Sequence, residues 1–198
     1  PTPGEILVYQ YGAIPAVLFG HAALPPEAMA IPASSTVLTS MLLHGSWMHL
    51  IGNMLYLFIF GNNIEDAMGH SKFIVFYLTC GVAAALAQAL PDPQSTIPMI
   101  GASGAISGVL GAYLLLYPHA RVLIVIPIGF YLHTTRIKAG WVLAFWFGIQ
   151  LVSTVLSSDQ QGGGVAFGAP IGGFIAGMAL VPCFKHSNVR LFEPGRHY

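Results

Sequence analysis

The stretch Gly101–Gly111, GASGAISGVLG, lies within a long apolar run and repeats small residues every four positions. On a helix these positions share one face: Gly104, Gly108 and Ala112. A matching set lies near the C terminus, in GVAFGAPIGGFIAG: Ala169, Gly173 and Gly177. Small residues let two helices approach closely in a bilayer, where association depends on van der Waals packing. The pattern predicts two transmembrane helices in direct contact.

The composition favours a membrane protein. Of 198 residues, 55% are hydrophobic and 7% are charged, and the mean hydropathy is +0.71. A soluble domain has about 25% charged residues. A soluble protein with a very apolar core is the alternative, but several apolar stretches approach the ~20 residues needed to cross a bilayer. We expect an all-α membrane protein. With a net charge of zero, the chain has no basic footprint for nucleic acid.

Apolar segments and the polar stretches between them predict the domain organisation. We expect five spans: Leu42–Phe60, Phe73–Leu90, Ile97–Tyr117, Gly140–Leu156 and Gly164–Cys183. Val122–Leu132 is too short to span and contains Pro127 and Gly129, so we expect an interfacial or re-entrant piece. The prediction is one membrane domain over residues 1–198. It has an outer surface loop at 1–40, a bundle at 41–184 and a cytoplasmic tail at 185–198.

The charged residues predict orientation. All seven basic residues fall on one side of the predicted bundle: Lys72, Arg121, Arg136, Lys138, Lys185, Arg190 and Arg196. The other side holds acidic residues only: Glu5, Glu27, Asp92 and Asp159. The positive-inside rule therefore predicts a multi-pass protein with a cytoplasmic C terminus. Five spans then place the start of the chain on the outer side. Because this start shows no signal peptide that could carry it across, we also expect a transmembrane helix to precede it.

Two polar clusters interrupt the apolar spans. HGSWMHLIGN, residues 44–53, places His49 and Asn53 on one helix face, with His44 just before them. In the second cluster, Ser103 lies between Gly101 and Gly104 at the start of a helix, where a substrate can approach its hydroxyl. We therefore predict an oxyanion hole formed by the Ser103 N–H and the side chains of His49 and Asn53. The alternatives are helix packing for the serine and interhelical hydrogen bonds for the other two.

The same residues argue against a metal site. His44 and His49 are five apart, and no carboxylate accompanies them within the span. We expect neither a metal nor a cofactor. Cys80 and Cys183 both sit in apolar segments and are interpreted as small core residues.

Taken together, HGSWMHLIGN, GASGAISG and GVAFGAPIGGFIAG resemble the rhomboid family over essentially the whole chain. The resemblance implies an intramembrane serine protease with six helices, five of them in this chain, that uses a Ser–His dyad on transmembrane protein substrates. It assigns Ser103 as the nucleophile and His49 and Asn53 as the oxyanion-binding residues. His44, Gly101 and Gly104 take supporting positions. The lipid bilayer is the expected environment, in a bacterial inner membrane.

One departure bears directly on activity. Where the family carries the dyad histidine, this chain has Pro170, and Gly168 stands where a bulky aromatic is common. Ser107 likewise replaces an aromatic that stacks on the dyad. Proline has no titratable nitrogen, so it cannot take the serine proton. Among other histidines, His21 in the first loop is the alternative base. The chain is thus expected to be an impaired serine endopeptidase or a non-catalytic protein that binds transmembrane helices. A transporter lacks support, because no inverted repeat is visible.

Overall fold

The computed structural model describes residues 2–128, 131–158 and 168–192. The helices within these ranges are α1 (Pro3–Tyr11), α2 (Pro15–Leu18), α3 (Ala33–Thr39), α4 (Trp47–Tyr56), α5 (Asn62–Met68), α6 (His70–Ala89), α7 (Ser103–Leu116), α8 (Ala139–Ser158) and α9 (Gly168–Phe184). Short 3₁₀ turns lie at Pro26–Ala28 and Ser40–Leu42, and a π-helical turn, Leu57–Gly61, joins α4 to α5. The predicted helical class is confirmed.

Helix α7 forms the centre of the bundle. It is buried over most of its length and packs mainly against α9 and α6. A Cβ added to Gly173 would lie 2.0 Å from the Gly104 carbonyl oxygen, and one added to Gly177 would lie 1.9 Å from that of Gly108. Only glycine permits such close backbone approach. The predicted contact between the two small-residue faces is therefore confirmed.

A second glycine face of α9 packs against α6. A Cβ at Gly172 would lie 2.3 Å from the Ala87 Cβ. Helix α7 packs against the same side of α6, since a Cβ at Gly104 would lie 2.5 Å from the Ala84 Cβ. Small residues therefore bring α6, α7 and α9 together as one tightly packed group.

The outer surface of the helices is apolar. Trp141 and Phe145 of α8 are 72% and 71% exposed. Helix α6 is the one described helix both long and apolar enough to cross a membrane; shorter apolar helices lie at Ser103–Leu116, Ala139–Ile149 and Gly168–Phe184. Large apolar side chains that face outward on several helices fit a lipid environment better than water.

The structure corrects the bounds of two predicted spans. The first does not run as one helix from Leu42, because α4 begins only after Ser46, whose Oγ accepts the His49 N–H at 3.1 Å. The third begins at Ser103 and not at Ile97. The preceding residues are not helical, and among them Met99 pairs with Ala13 through two backbone hydrogen bonds. Residues 164–167 at the start of the fifth predicted span lie outside the described residues, as do residues 159–163 before them.

The N-terminal segment, expected as a surface loop, contains short helices attached near the start of α7. The Thr39 hydroxyl donates to the Tyr11 carbonyl oxygen at 2.7 Å. The Ser40 carbonyl oxygen accepts the N–H of Gly101 at 2.9 Å. These bonds fix the end of the segment beside the residues that precede α7.

The all-α expectation missed a β-hairpin. Strands β1 (Arg121–Ile128) and β2 (Tyr131–Lys138) pair antiparallel, with Arg121 opposite Lys138. The stretch that precedes Pro127 is rich in β-branched residues, which favour strands, and the proline disfavours a helix. The segment expected to be interfacial or re-entrant is thus a hairpin between α7 and α8.

The described basic residues gather at one end of the bundle, as predicted. The residues that follow α9 meet the end of α5, directly before α6, since the His186 N–H donates to the Ala67 carbonyl oxygen at 2.8 Å. The Phe192 N–H reaches the Leu115 carbonyl oxygen near the end of α7 at 2.7 Å. The hairpin lies at this end, whereas Ser103 lies at the other. Arg196 falls outside the described ranges.

The two cysteines differ. Cys80 is buried in the core, as expected, and its side chain packs against Gly108. Cys183 is exposed on α9, so its interpretation as a core residue was wrong.

Candidate active site

Ser103 is the first residue of α7 and is partly buried. The residue before it, Ala102, occupies the N-cap and provides no side-chain hydrogen bond to the helix. The first N–H groups of a helix have no partner within the helix, and the helix dipole places partial positive charge there. The Ser103 hydroxyl therefore sits beside backbone donors that have no capping side chain.

His49 lies beside Ser103 because Gly101 leaves room for its ring. The Gly101 φ of +117° is one that residues with a side chain rarely adopt. A Cβ at this position would lie 2.9 Å from Cε1 and 3.1 Å from Nε2 of His49, and 3.8 Å from the Ser103 Oγ. The imidazole and the hydroxyl thus flank one small space that the absent side chain of Gly101 leaves open.

Two further polar atoms on this side, one on α4 and one just before it, are buried without partners. Nδ2 of Asn53 and Nε2 of His44 make no hydrogen bond within the described ranges, and Asn53 is only 8% exposed. The His44 and His49 rings meet edge to face, with centroids 5.2 Å apart. An unsatisfied buried polar group costs about 1–3 kcal/mol and calls for an explanation. Asn53 lies one helical turn beyond His49, so its amide is a donor available to a ligand near that ring.

Ser107, one turn after Ser103, has a different role. It is fully buried, and its hydroxyl donates to the Ser103 carbonyl oxygen at 2.7 Å. The polar atom is satisfied within the helix itself. Ser107 therefore belongs to the packing of α7 and presents no free hydroxyl to the site.

The start of α9 completes the surroundings of Ser103. A Cβ at Gly104 would lie 3.8 Å from the Cβ of Ala169, so α9 begins at the depth of Ser103. The next residue, Pro170, is the third of the helix. Proline is tolerated in a first turn, where its missing N–H has no helical partner. Pro170 therefore lies in the first described turn of α9.

Gln88 caps this helix, and sequence reasoning missed it. Its Oε1 accepts the N–H groups of Gly168 and Ala169 at 3.0 and 3.1 Å. A polar amide near the end of an apolar helix was the available signal. A Cβ at Gly168 would lie 2.1 Å from the Ala87 carbonyl oxygen, so an aromatic does not fit there. Gly168 is required by the close approach of α9 to α6.

Other histidines lie away from Ser103. His119 follows the far end of α7, a helix of 14 residues that is about 21 Å long. His133 is on the hairpin, which leaves the bundle at that same end. His21 is exposed after α2, and no contact in the described part of the chain joins it to Ser103 or His49. The described residues contain no cluster of three or more His, Cys, Asp or Glu side chains suited to a metal.

Comparison with known proteins assigns the family. The model of the Rhomboid domain matches residues 33–187. Rhomboid protease GluP of Bacillus subtilis (strain 168) is 34% identical over 144 residues, which cover 73% of this chain and 25% of that protein. Rhomboid protein 1, mitochondrial, of Saccharomyces cerevisiae is 32% identical over 98 residues, or 48% of this chain and 28% of that protein.

A mammalian relative agrees with these. Presenilin-associated rhomboid-like protein, mitochondrial, of Mus musculus is 31% identical over 115 residues, which cover 54% of this chain and 30% of that protein. The chain thus spans less than a third of the length of these relatives. The family model nevertheless covers most of the chain and both polar clusters. This chain is an integral membrane protein that belongs to the rhomboid family.

Proposed function

We propose that the chain is a rhomboid-type serine endopeptidase scaffold that receives transmembrane protein segments beside Ser103, and that its hydrolytic step is impaired. The observation that carries the proposal is the contrast between the groups around Ser103. His49 lies beside Ser103 at the start of α7, and Asn53 lies one turn farther along α4, whereas the first described turn of α9 contains Pro170.

The chemistry explains the impairment. Attack by the Ser103 oxygen on a peptide carbonyl requires that its proton pass to a base, and the negative oxygen that forms requires hydrogen-bond donors. Backbone N–H groups at the start of α7 and the Asn53 amide are suitable donors. Pro170 has no nitrogen that can accept a proton. Loss of the base in a serine protease reduces turnover by roughly 10⁶-fold.

A second function is favoured by the same residue. With Pro170 in place of a base, the site beside Ser103 can hold a transmembrane segment without cutting it. The start of α9 supports this non-catalytic role. Its N–H groups are capped by Gln88 and its glycines pack closely against α6, so the helix is stable there without a histidine.

The experiment measures cleavage and binding separately. The chain is reconstituted in nanodiscs with a fluorescent transmembrane peptide, and both cleavage and fluorescence transfer from the chain to the peptide are followed. We expect binding without measurable cleavage, and weak labelling by a fluorophosphonate. Cleavage by the unmodified chain that Ser103→Ala abolishes would contradict the impairment, and His21→Ala would then test the remaining candidate base. Absence of peptide binding would contradict both functions.

The orientation is part of the proposal. Since the basic residues lie at one end, the positive-inside rule places that end and the C terminus in the cytoplasm, in a bacterial inner membrane. Ser103 then faces the outer side. A cysteine introduced at Asp92 should react with an impermeant reagent from outside, and one at Arg136 should not. The reverse pattern would overturn the orientation. Residue 159, in the last predicted outer loop, would be the equivalent label there, but it lies outside the described residues.

A further inference from the structure

The hairpin β1–β2 has one face that combines cations with apolar side chains. Residues directly opposite each other in an antiparallel pair lie on the same face. The register pairs Arg121 with Lys138 and Leu123 with Arg136, so three cations share a face. Nearer the turn, the same face carries Val125 and Leu132. All the named side chains of this face are exposed.

Near the base of the hairpin, the opposite face is turned toward the bundle. Val122 packs against the hydrophobic core and is partly buried, as are Ile124 and Ile137 farther along the strands. Exposure therefore alternates between a packed face and a free one over residues 121–125 and 134–138, whereas Ile126, Tyr131 and His133 of the second face are exposed nearer the turn. The cationic face is the free one.

The three cations have no acidic partner within the described ranges, where the recorded ion pair joins His70 to Glu65. They lie at the end of the bundle that also carries other exposed basic residues, including Lys72 and Arg190. An exposed basic face flanked by apolar side chains, on a protein embedded in lipid, matches the chemistry of an anionic membrane surface.

We propose that this face of the hairpin, comprising Arg121, Leu123, Val125, Leu132, Arg136 and Lys138, binds the headgroups of anionic phospholipids. The cations contact lipid phosphates, and the apolar side chains enter the boundary between headgroups and acyl chains. A strand rises about 3.4 Å per residue, which places Arg121 and Val125 about 14 Å apart along β1. The face therefore offers separate charged and apolar zones to the membrane.

A test places a dye on the hairpin of the full chain. Cys183 is replaced by Ser, buried Cys80 is retained, and Leu132→Cys carries an environment-sensitive fluorophore. The protein is reconstituted in phosphatidylcholine vesicles with increasing phosphatidylglycerol. We expect the emission to shift to the blue and to be quenched by spin-labelled lipid as phosphatidylglycerol increases. Each cation removed should raise the phosphatidylglycerol fraction needed for half the response, with an intrinsic loss of roughly fivefold in affinity.

The comparison variants make the result specific. Arg121→Gln with Arg136→Gln and Lys138→Gln should abolish the phosphatidylglycerol dependence, and Arg136→Gln alone should weaken it. Lys72→Gln with Arg190→Gln removes charge from the same end of the bundle but leaves the hairpin intact, and should preserve the response. A dye that remains in water at all lipid compositions overturns the proposal. So does a response that survives loss of the three cations, or one that appears only when an extended peptide is added.

Discussion

The two sides of the candidate site differ in how their polar groups are satisfied. On the side built by α4 and the start of α7, Asn53 Nδ2 and His44 Nε2 are buried without partners, and Gly101 holds an unusual backbone conformation. On the α9 side, Gln88 accepts the N–H groups of Gly168 and Ala169.

We call the first side the reactive half, after the role proposed for it, and the α9 side the structural half. Unsatisfied polar groups and unusual backbone angles reduce stability and cluster at functional sites. The α9 side has neither feature in its described first turn, because Pro170 has no N–H to satisfy and the two preceding N–H groups are capped. From the sequence alone, Pro170 is only the absence of the histidine that the family resemblance predicts. The geometry shows that the same turn is a well-packed helix start.

The largest expected effect removes the packing that both sides share. Gly173→Leu should lower the free energy of unfolding by at least about 3 kcal/mol, because a side chain there meets the Gly104 carbonyl oxygen. Gly148→Leu is the matched control, since no atom lies within 4 Å of a Cβ at Gly148 of α8. Denaturant titration of the purified chain in detergent measures both. Equal stability of the two variants would refute the α7–α9 contact.

The next effect converts the structural half into a reactive one. Pro170→His should increase fluorophosphonate labelling of Ser103 by about 10²-fold or more, because a general base contributes 10²–10⁴-fold. Pro170→Ala removes the proline without providing a base and should leave labelling at its original level. The increase should vanish in the double variant with Ser103→Ala. If Pro170→Ala gains as much as Pro170→His, the imidazole is not acting as a base.

A smaller effect tests the reactive half. In the Pro170→His background, Gly101→Ala should reduce labelling by about tenfold, because strain of about 1–3 kcal/mol and contact with His49 displace the imidazole from Ser103. Gly52→Ala on α4 is the control, as a Cβ there has open space. Labelling rates from gel fluorescence give the comparison. Unchanged labelling would mean that the position of His49 is unimportant.

The smallest effect tests the cap on α9. Gln88→Ala should reduce the free energy of unfolding by about 1 kcal/mol, a typical cost of losing an N-terminal cap. Gln94→Ala is the control, because Gln94 is exposed and should contribute within about 0.5 kcal/mol. Thermal or denaturant unfolding distinguishes them. A Gln88→Ala variant as stable as the Gln94→Ala variant would show that the cap adds nothing to stability.

Sequence reasoning succeeded where the decisive pattern was local. Glycine every fourth residue predicted the α7–α9 contact because spacing alone places those residues on one helix face. His49 and Asn53 were grouped for the same reason. Their possible roles in chemistry were predicted from the family resemblance and from residue type, and the assignment of those roles remains a prediction.

It failed where distant residues decide the local structure. Residues 97–102 stay outside α7, where Met99 pairs with Ala13, and the cap of α9 comes from Gln88, 80 residues before Gly168. The hairpin was missed for another reason. A short apolar run has no period that distinguishes a strand from a helical segment, so the prediction went no further than an interfacial or re-entrant piece.

The π-helical turn at Leu57–Gly61 has a consequence for the angle at which α4 faces its neighbours. Such a turn contains one residue more than a regular helical turn, and each residue of an α-helix advances the side chains by about 100°. Deleting one residue from this turn would leave α5 in place while rotating His49 and Asn53 away from α7. The extra residue therefore determines the direction in which His49 and Asn53 point relative to Ser103.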